Sequence, residues 1–380
     1  MTMPSYLPSL YVHIPFCRSR CAYCDFYSTV LSPPTVPPLL DALLNELEQV
    51  RLRYWPACQT IFIGGGTPTV LPAVQLERLL QGCRRLTRPS ANIEFTVEAN
   101  PATVDRETAE ILATAGVNRV SIGAQSFEPA ELRVLGRTHQ PEQVGETVAI
   151  CRGHDIKRIS LDLIFAIPGQ TLKSWRTILQ AAVALEPEHL SCYGLTYEPG
   201  TRLAADLRAG RVTRVEHDLE ADMYEATIDD LAAAGYQQYE ISNFCHPGGQ
   251  CRHNLTYWHN ESYLGIGPSA SGYIDGVRYK NVADIAEYIQ SINSGRSPRC
   301  EEECLSPTRS AGETAMLALR LIEGLNRRRF ADRFGHDPVE HFAAAVERHV
   351  ADGLLEVTDE AIRLTRRGLL LANTVIADLI

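Results

Sequence analysis

The chain has no apolar run approaching the roughly 18 residues that a membrane-spanning helix needs, which excludes the common helical membrane classes. Its opening residues, Met1-Thr-Met-Pro-Ser-Tyr6, have no charged leader followed by an apolar core, so no secretory signal is expected. A cytoplasmic protein without a stable membrane anchor is the expectation. Basic charge is also short: 36 Lys and Arg stand against 46 Asp and Glu, a net charge of −10, and no broad basic patch is written into the sequence. This argues against a nucleic-acid partner. The short basic runs Arg327–Arg329 and Arg366-Arg367 read as solvated faces. Nor is there a disulfide framework, because 11 cysteines form an odd number scattered along a chain of 380 residues. Cys58, Cys83, Cys151 and Cys192 sit inside apolar segments and read as small core residues. A hydrophobic content of 45% and a charged content of 22% describe an ordinary globular protein, long enough for one large α/β domain and a small appendage.

Three of the cysteines are not scattered. Cys17, Cys21 and Cys24 lie in Tyr11-Val-His-Ile-Pro-Phe-Cys-Arg-Ser-Arg-Cys-Ala-Tyr-Cys-Asp-Phe26, a C-x3-C-x2-C spacing. Three thiolates on a [4Fe–4S] cluster leave one iron without a protein ligand and open to a small molecule. The alternative is a tetrahedral zinc site, but that takes four ligands, usually in two separated pairs, and no fourth cysteine follows closely.

Beyond this loop, Pro33-Pro34 and Pro37-Pro38 punctuate a linker, and helical spacing covers Leu39–Leu52. Short β-branched runs then alternate with amphipathic segments. Strands are expected at Ser9–Ile14, Thr60–Ile63, Asn92–Glu98, Arg119–Gly123, Ile159–Phe165 and Leu190–Leu195. Helices are expected at Val74–Leu86, Asp105–Ala115, Gln143–Gly153, Leu172–Leu185 and Val215–Ala234. Alternation of this kind predicts an α/β fold with a parallel sheet and outer helices. Six units predict a partial (β/α)6 barrel over residues 1–295.

Reactive residues of such barrels gather at the C-terminal ends of the strands. Cys17 follows the first strand, Gly64-Gly65-Gly66-Thr67-Pro68 follows the second, Glu98 ends the third, Gln125 follows the fourth, and Asp162 lies in the fifth. The glycines let backbone approach a ligand closely, although such a segment also serves as a plain turn. Glu98 could accept hydrogen bonds from an ammonium or from ribose hydroxyls, or could form a salt bridge to a neighbouring helix. Arg137, in Leu-Gly-Arg-Thr-His, reads on its own as a surface cation.

The cysteine loop, with Tyr23 before its last cysteine, resembles that of the radical S-adenosylmethionine (SAM) superfamily. The resemblance implies a [4Fe–4S] cluster on Cys17, Cys21 and Cys24, with SAM on the open iron as the source of an adenosyl radical. Position by position, it implies SAM contacts at Tyr11, Gly65, Gly66, Thr67, Glu98, Gln125, Arg137 and Asp162. The same fold follows from it.

A second signature lies in Cys251–Tyr273, a stretch that is polar, aromatic and glycine-rich and reads as neither regular helix nor simple strand. His253, Asn254, Tyr257 and Trp258 form an H-N-x2-Y-W pattern resembling the hallmark of HemW-type heme chaperones. The resemblance implies heme as ligand, an apo-hemoprotein such as a respiratory cytochrome as acceptor, and possible homodimers. An imidazole is a common iron ligand and Tyr and Trp could flank a macrocycle, so His253 is a candidate heme ligand. Alternatively, His253 and Asn254 pin the loop to the barrel. Cys245, Cys251 and His259 are weaker candidates nearby. Ser271 occupies a place where relatives of this type carry a histidine, which counts against schemes that need a second one. Cys300-Glu-Glu-Glu-Cys304 reads as a solvated linker, with metal binding as the alternative.

From Ser306 helices follow without strands between them, at Glu313–Glu323, Arg327–Phe334 and Pro338–Asp352. A hairpin of 354–357 and 361–365 then precedes a last helix, Arg367–Ile380. Residues 305–380 resemble the small, mainly helical, winged-helix-like C-terminal domain of oxygen-independent coproporphyrinogen III oxidases. That family supplies the rival function, a radical SAM oxidative decarboxylase of porphyrin biosynthesis. Its cysteine loop ends C-x-C, whereas Cys24 is followed here by Asp25-Phe26. Its N-terminal extension is expected to be longer than the ten residues before Tyr11. Further rivals are a radical SAM methyltransferase and a purely structural cluster protein.

Overall fold

The computed structural model describes residues 7–54, 57–87 and 90–379. The reading of residues 1–6 and the end of the last expected helix, Ile380, lie outside the described residues.

A nine-stranded sheet forms the centre. In chain order its strands are β1 (Ser9–Ile14), β2 (Thr60–Gly65), β3 (Glu94–Ala99), β4 (Arg119–Gln125), β5 (Arg158–Phe165), β6 (His189–Gly194), β7 (Gln237–Glu240), β8 (Asn243–Cys245) and β9 (Leu264–Ile266). Their order across the sheet is β9-β1-β2-β3-β4-β5-β6-β8-β7. β9 and β1 to β6 run parallel, and the pair β8, β7 closes one edge antiparallel. All six expected parallel strands form. The seventh, β9, comes from the stretch read as irregular; three residues among glycines carry too short a pattern to show a strand.

The strands alternate in a way that exposes the function of each face. Ile61, Ile63, Phe95, Val97, Val120, Ile122, Ile159, Leu161 and Leu190 point to the helices and form the main apolar core with them. The opposite phase, Thr96, Glu98, Arg119, Ser121, Ser160, Asp162, His189 and Ser191, lines one hollow inside the curved sheet. Strands buried on both faces of a parallel sheet normally read as continuous apolar runs. A polar ladder on the concave face therefore marks that face as a place for water or ligand rather than core.

The outer helices lie where the periodicity put them. Helix Val36–Tyr54 starts three residues before the expected Leu39, because prolines 37 and 38 are tolerated in a first turn. Helix Pro307–Ala318 starts six residues before the expected Glu313, where Ser306 Oγ accepts the Arg309 N–H at 3.4 Å and Pro307 opens the first turn. The four core cysteines, 58, 83, 151 and 192, are buried as expected.

Four segments differ from expectation. His253–Trp258 lies on a short helix, Arg252–Trp258. Residues 299–304 are no linker: Arg299–Cys304 is the exposed edge strand of a small antiparallel sheet with Val277–Asn281 and Ser271–Ile274. At about 3.3 Å per residue, Cys300 and Cys304 stand roughly 13 Å apart along that strand, too far to share a metal ion. A second apolar cluster, built on Leu319, Phe330, Val346, Ile362 and Val375, is the core of the mainly helical C-terminal part. The expected helix 338–352 breaks at Phe342 into Pro338–His341 and Ala343–Ala351, and the last one breaks at Leu371.

Candidate functional site

β1 hands the chain to a short strand, Phe16–Cys17, which pairs with Thr29–Val30, so residues 18–28 form a closed loop over the C-terminal mouth of the sheet. The loop is pinned from three sides. The Ala22 N–H donates to the Leu135 carbonyl at 2.9 Å, the Ala22 carbonyl accepts the Leu203 N–H at 2.8 Å, and Arg18 Nη1 donates to the Ala102 carbonyl at 2.8 Å. Cys17, Cys21 and Cys24, all partly exposed, line one cleft together with Gly65, Gly66, Thr67, Glu98, Gln125, Arg137 and Asp162. Thr67 Oγ1 stands 3.8 Å from Cys17 Sγ, and Arg137 Nη1 donates to Cys21 Sγ at 3.4 Å. Burial raises the Cys17 thiol and pushes Cys24 up to about 11.

The glycine segment is where backbone meets backbone. Gly66 N–H donates to the Ile14 carbonyl at 2.8 Å, and Thr67 N–H to the Phe16 carbonyl at 2.7 Å. A Cβ on Gly66 would lie 2.5 Å from the Phe16 carbonyl oxygen, so only glycine lets this turn seat against the cysteine strand. Gly65, at φ +108°, donates its N–H to Glu98 Oε2 at 3.0 Å.

Two carboxylates form the base of the cleft. Burial, reinforced by neighbouring Asp162, pushes Glu98 up to about 7 against the pull of the Gly65 N–H. Burial also raises Asp162, opposed by hydrogen bonds from Ser191 and Ser121, the latter at 3.1 Å to Oδ2. Gln125 takes a left-handed φ of 66° where the β4–β5 register slips, which turns its side chain into the cleft. Arg137 is no surface cation: its Nη2 donates to the Gly123 carbonyl at 2.5 Å and it faces the cleft.

The polar groups that these residues leave unpaired bear on their fit to a cluster with a bound sulfonium ligand. Arg137 Nε is buried without a hydrogen-bond partner, and its residue lines the cleft. A cationic donor, two carboxylates and a glycine backbone beside three soft thiols suit a cluster and a zwitterionic ligand. Among the described residues no three His, Cys, Asp or Glu side chains are grouped to hold a single metal ion.

Tyr11 and His253 are not brought into this cleft. Tyr11 lines a neighbouring hollow with Phe26, Tyr27, Tyr257 and Tyr263, and its hydroxyl bonds His13 Nδ1 at 2.9 Å. His253 sits at the other end of the strands, buried beneath the polar ladder. Its Nδ1 bonds Thr60 Oγ1 and its Nε2 bonds Tyr257 Oη, each at 2.8 Å, and its ring stacks on Phe62 at 5.1 Å. Burial depresses it to about 3. Glu94, wholly buried, accepts the Arg252 and His253 N–H groups at 3.1 and 3.0 Å, which stabilises the start of this helix. Cys251 Sγ lies 3.6 Å from Glu94 Oε1, and Cys245 is buried in β8; neither joins His253 or His259 as a ligand set.

Sequence reasoning missed Arg119, which is 1% exposed, donates through Nη1 to the Gly249 carbonyl at 3.0 Å and leaves Nη2 without a partner in the ladder. It also missed Asn100, whose turn with Thr103 forms a wall of the cleft. The signal was available in the period-two polar phase Glu94-x-Thr96-x-Glu98 and Arg119-x-Ser121.

A parallel α/β sheet with a polar concave face and a three-cysteine loop over its C-terminal mouth defines a protein of the radical SAM class. Comparison agrees: a sequence profile of the radical SAM superfamily matches residues 11–182, and that of the HemN C-terminal domain matches 305–371. Heme chaperone HemW of Bacillus subtilis is 38% identical over 371 residues, 97% of this chain and 98% of that protein. Heme chaperone HemW of Escherichia coli is 35% identical over 378 residues, 97% of each chain. The structure of the E. coli coproporphyrinogen III oxidase HemN, described as a radical SAM enzyme, superposes with a TM-score of 0.86 over 100% of this chain and 91% of that one; at 23% identity this shows the fold. The chain belongs to the family of HemW heme chaperones.

Proposed function

We propose that this protein is a cytoplasmic heme chaperone, which binds heme and passes it to an apo-hemoprotein such as a respiratory cytochrome. The observation that carries the reading is likeness to HemW heme chaperones along almost the whole chain, 97% of it in the B. subtilis case. In this reading Cys17, Cys21 and Cys24 hold a [4Fe–4S] cluster, and SAM occupies the cleft. Bound there, the pair would supply one-electron chemistry at the sulfonium. The chain's own residues do the positioning. Gly65, Gly66 and Thr67 offer backbone and a hydroxyl to the methionine end, Arg137 offers N–H groups to its carboxylate, and Glu98, Gln125 and Asp162 offer acceptors and a donor for ammonium and hydroxyls. His253 enters as the pin of the barrel floor, since both ring nitrogens are bonded within the protein.

A second reading, coproporphyrinogen III decarboxylation, draws on the fold of HemN. Against it stands the loop after Cys24, where Asp25-Phe26 replaces a further cysteine. Anaerobic reconstitution with iron and sulfide, followed by iron analysis of wild type and Cys17→Ala, tests the cluster assignment. About four irons per chain, lost in the variant, is the expected result; full loading of the variant contradicts it.

A further inference from the structure

A groove of about 790 Å3 runs between helix His217–Ala233 and the C-terminal turn around Arg366–Asn373. It continues into a hollow of about 240 Å3 that shares Ile241, Asn373 and the leucines 369–371. Ligand sites commonly measure about 300–1,000 Å3 and are mainly apolar with a few convergent polar groups. This one has that character. Phe165, Tyr224 and Leu369 form its wall, and Leu370 and Leu371 remain 38% and 43% exposed at its edge.

Three cations border the apolar wall. Arg214 and Arg367 line the groove, and Arg320 lines the joined hollow. Among the described residues none of the three is in a salt bridge: Arg214 lies over the Tyr197 ring at 4.8 Å, Arg367 donates to the Asp352 carbonyl at 3.2 Å, and Arg320 lies over the Trp258 ring at 4.8 Å with its Nε buried and unpartnered. Asp218 and Glu220 also line the groove. His217, whose side chain is 84% exposed, sets Nδ1 3.9 Å from Glu220 Oε2. Its Nε2 has no hydrogen-bond partner among the described residues.

An apolar wall, guanidiniums outside salt bridges and an exposed imidazole fit a flat apolar ligand with carboxylates at one edge and a metal at its centre. We propose that this groove binds heme, with the ring against Leu370 and Leu371, the propionates at Arg367 and Arg214, and His217 on the iron. The proposal rests on the heme-chaperone reading. Guanidiniums take carboxylates in pairs of hydrogen bonds, and imidazole is a frequent axial ligand. This assignment differs from His253, which is sealed in the barrel floor.

The test is titration of ferric heme into the full-length, cluster-reconstituted protein, followed at the Soret band. Wild type is compared with Leu370→Arg, Arg367→Glu and His217→Ala, with circular dichroism and iron content as checks of folding. At least tenfold weaker binding in Leu370→Arg and Arg367→Glu is expected, with an altered Soret position in His217→Ala. Wild-type heme affinity and spectrum in all three overturn the groove while leaving the chaperone reading in place. A wild type that binds no heme overturns both.

Discussion

His253 Nδ1 lies 2.8 Å from Thr60 Oγ1, at the N-terminal end of β2, while the cysteine loop covers the opposite, C-terminal end of the same strands. His253 of the second signature therefore sits at the end of the barrel opposite the cysteine loop, while Tyr257 of the same signature reaches a hollow shared with Phe26 and Tyr27 of that loop. The cysteine loop builds the mouth and the H-N-x2-Y-W helix builds the floor.

If His253 is a floor pin, its loss is felt first as stability. His253→Ala removes two buried hydrogen bonds and the stack on Phe62, and leaves Thr60 and Tyr257 hydroxyls to find new partners. A loss of about 2–4 kcal/mol is expected in chemical denaturation. The pH dependence identifies the cause. The folded ring titrates at about 3 and the unfolded ring near 6.5, so the unfolded state binds more protons between these values. The stability supplied by the neutral ring is complete above about pH 6.5 and is lost as pH falls toward 3. The stability gap between wild type and His253→Gln should accordingly narrow on acidification through that window.

Glu98 has the opposite sign. Its folded value of about 7 lies above the ordinary 4.5, so the folded state holds the extra proton between them and wild type loses stability as pH rises through that range. Glu98→Gln should gain stability relative to wild type between pH 5 and pH 8, read from thermal unfolding without ligand. Above about pH 7 it should also bind SAM about tenfold or more weakly, because there an ionised acceptor is replaced by a neutral one. An equal SAM affinity would remove Glu98 from the cofactor site.

Gly66→Ala tests the seat of the glycine turn against the cysteine strand. A Cβ 2.5 Å from the Phe16 carbonyl oxygen forces the two segments apart. Overpacking of this kind costs about 1–3 kcal/mol. Iron content after reconstitution should drop well below that of wild type while the far-ultraviolet spectrum is retained.

Much of this arrangement was legible in the sequence. β1 to β6 each carry enough β-branched and apolar residues to be read locally, and the C-x3-C-x2-C spacing fixed the mouth of the site. The rest depended on tertiary context. Leu264–Ile266 is a strand because β1 offers it an open edge, and Arg299–Cys304 is a strand despite three glutamates because its edge faces water. Arg137 looked like a loop cation because nothing local announces that Gly123 and Cys21 lie beside it. His253 reads equally as a heme ligand or as a pin of its loop, because the partners that decide between the two, Thr60 and Glu94, are about 160 or more residues away in the chain.

The most direct test of the account combines heme titration with a coproporphyrinogen III turnover assay on one anaerobically reconstituted sample of the full chain. Stoichiometric heme binding, transfer of that heme to an apo-hemoprotein, and no decarboxylated product are predicted. Decarboxylated product that disappears in Cys17→Ala, from a protein that holds no heme, would contradict the chaperone function and establish the oxidase.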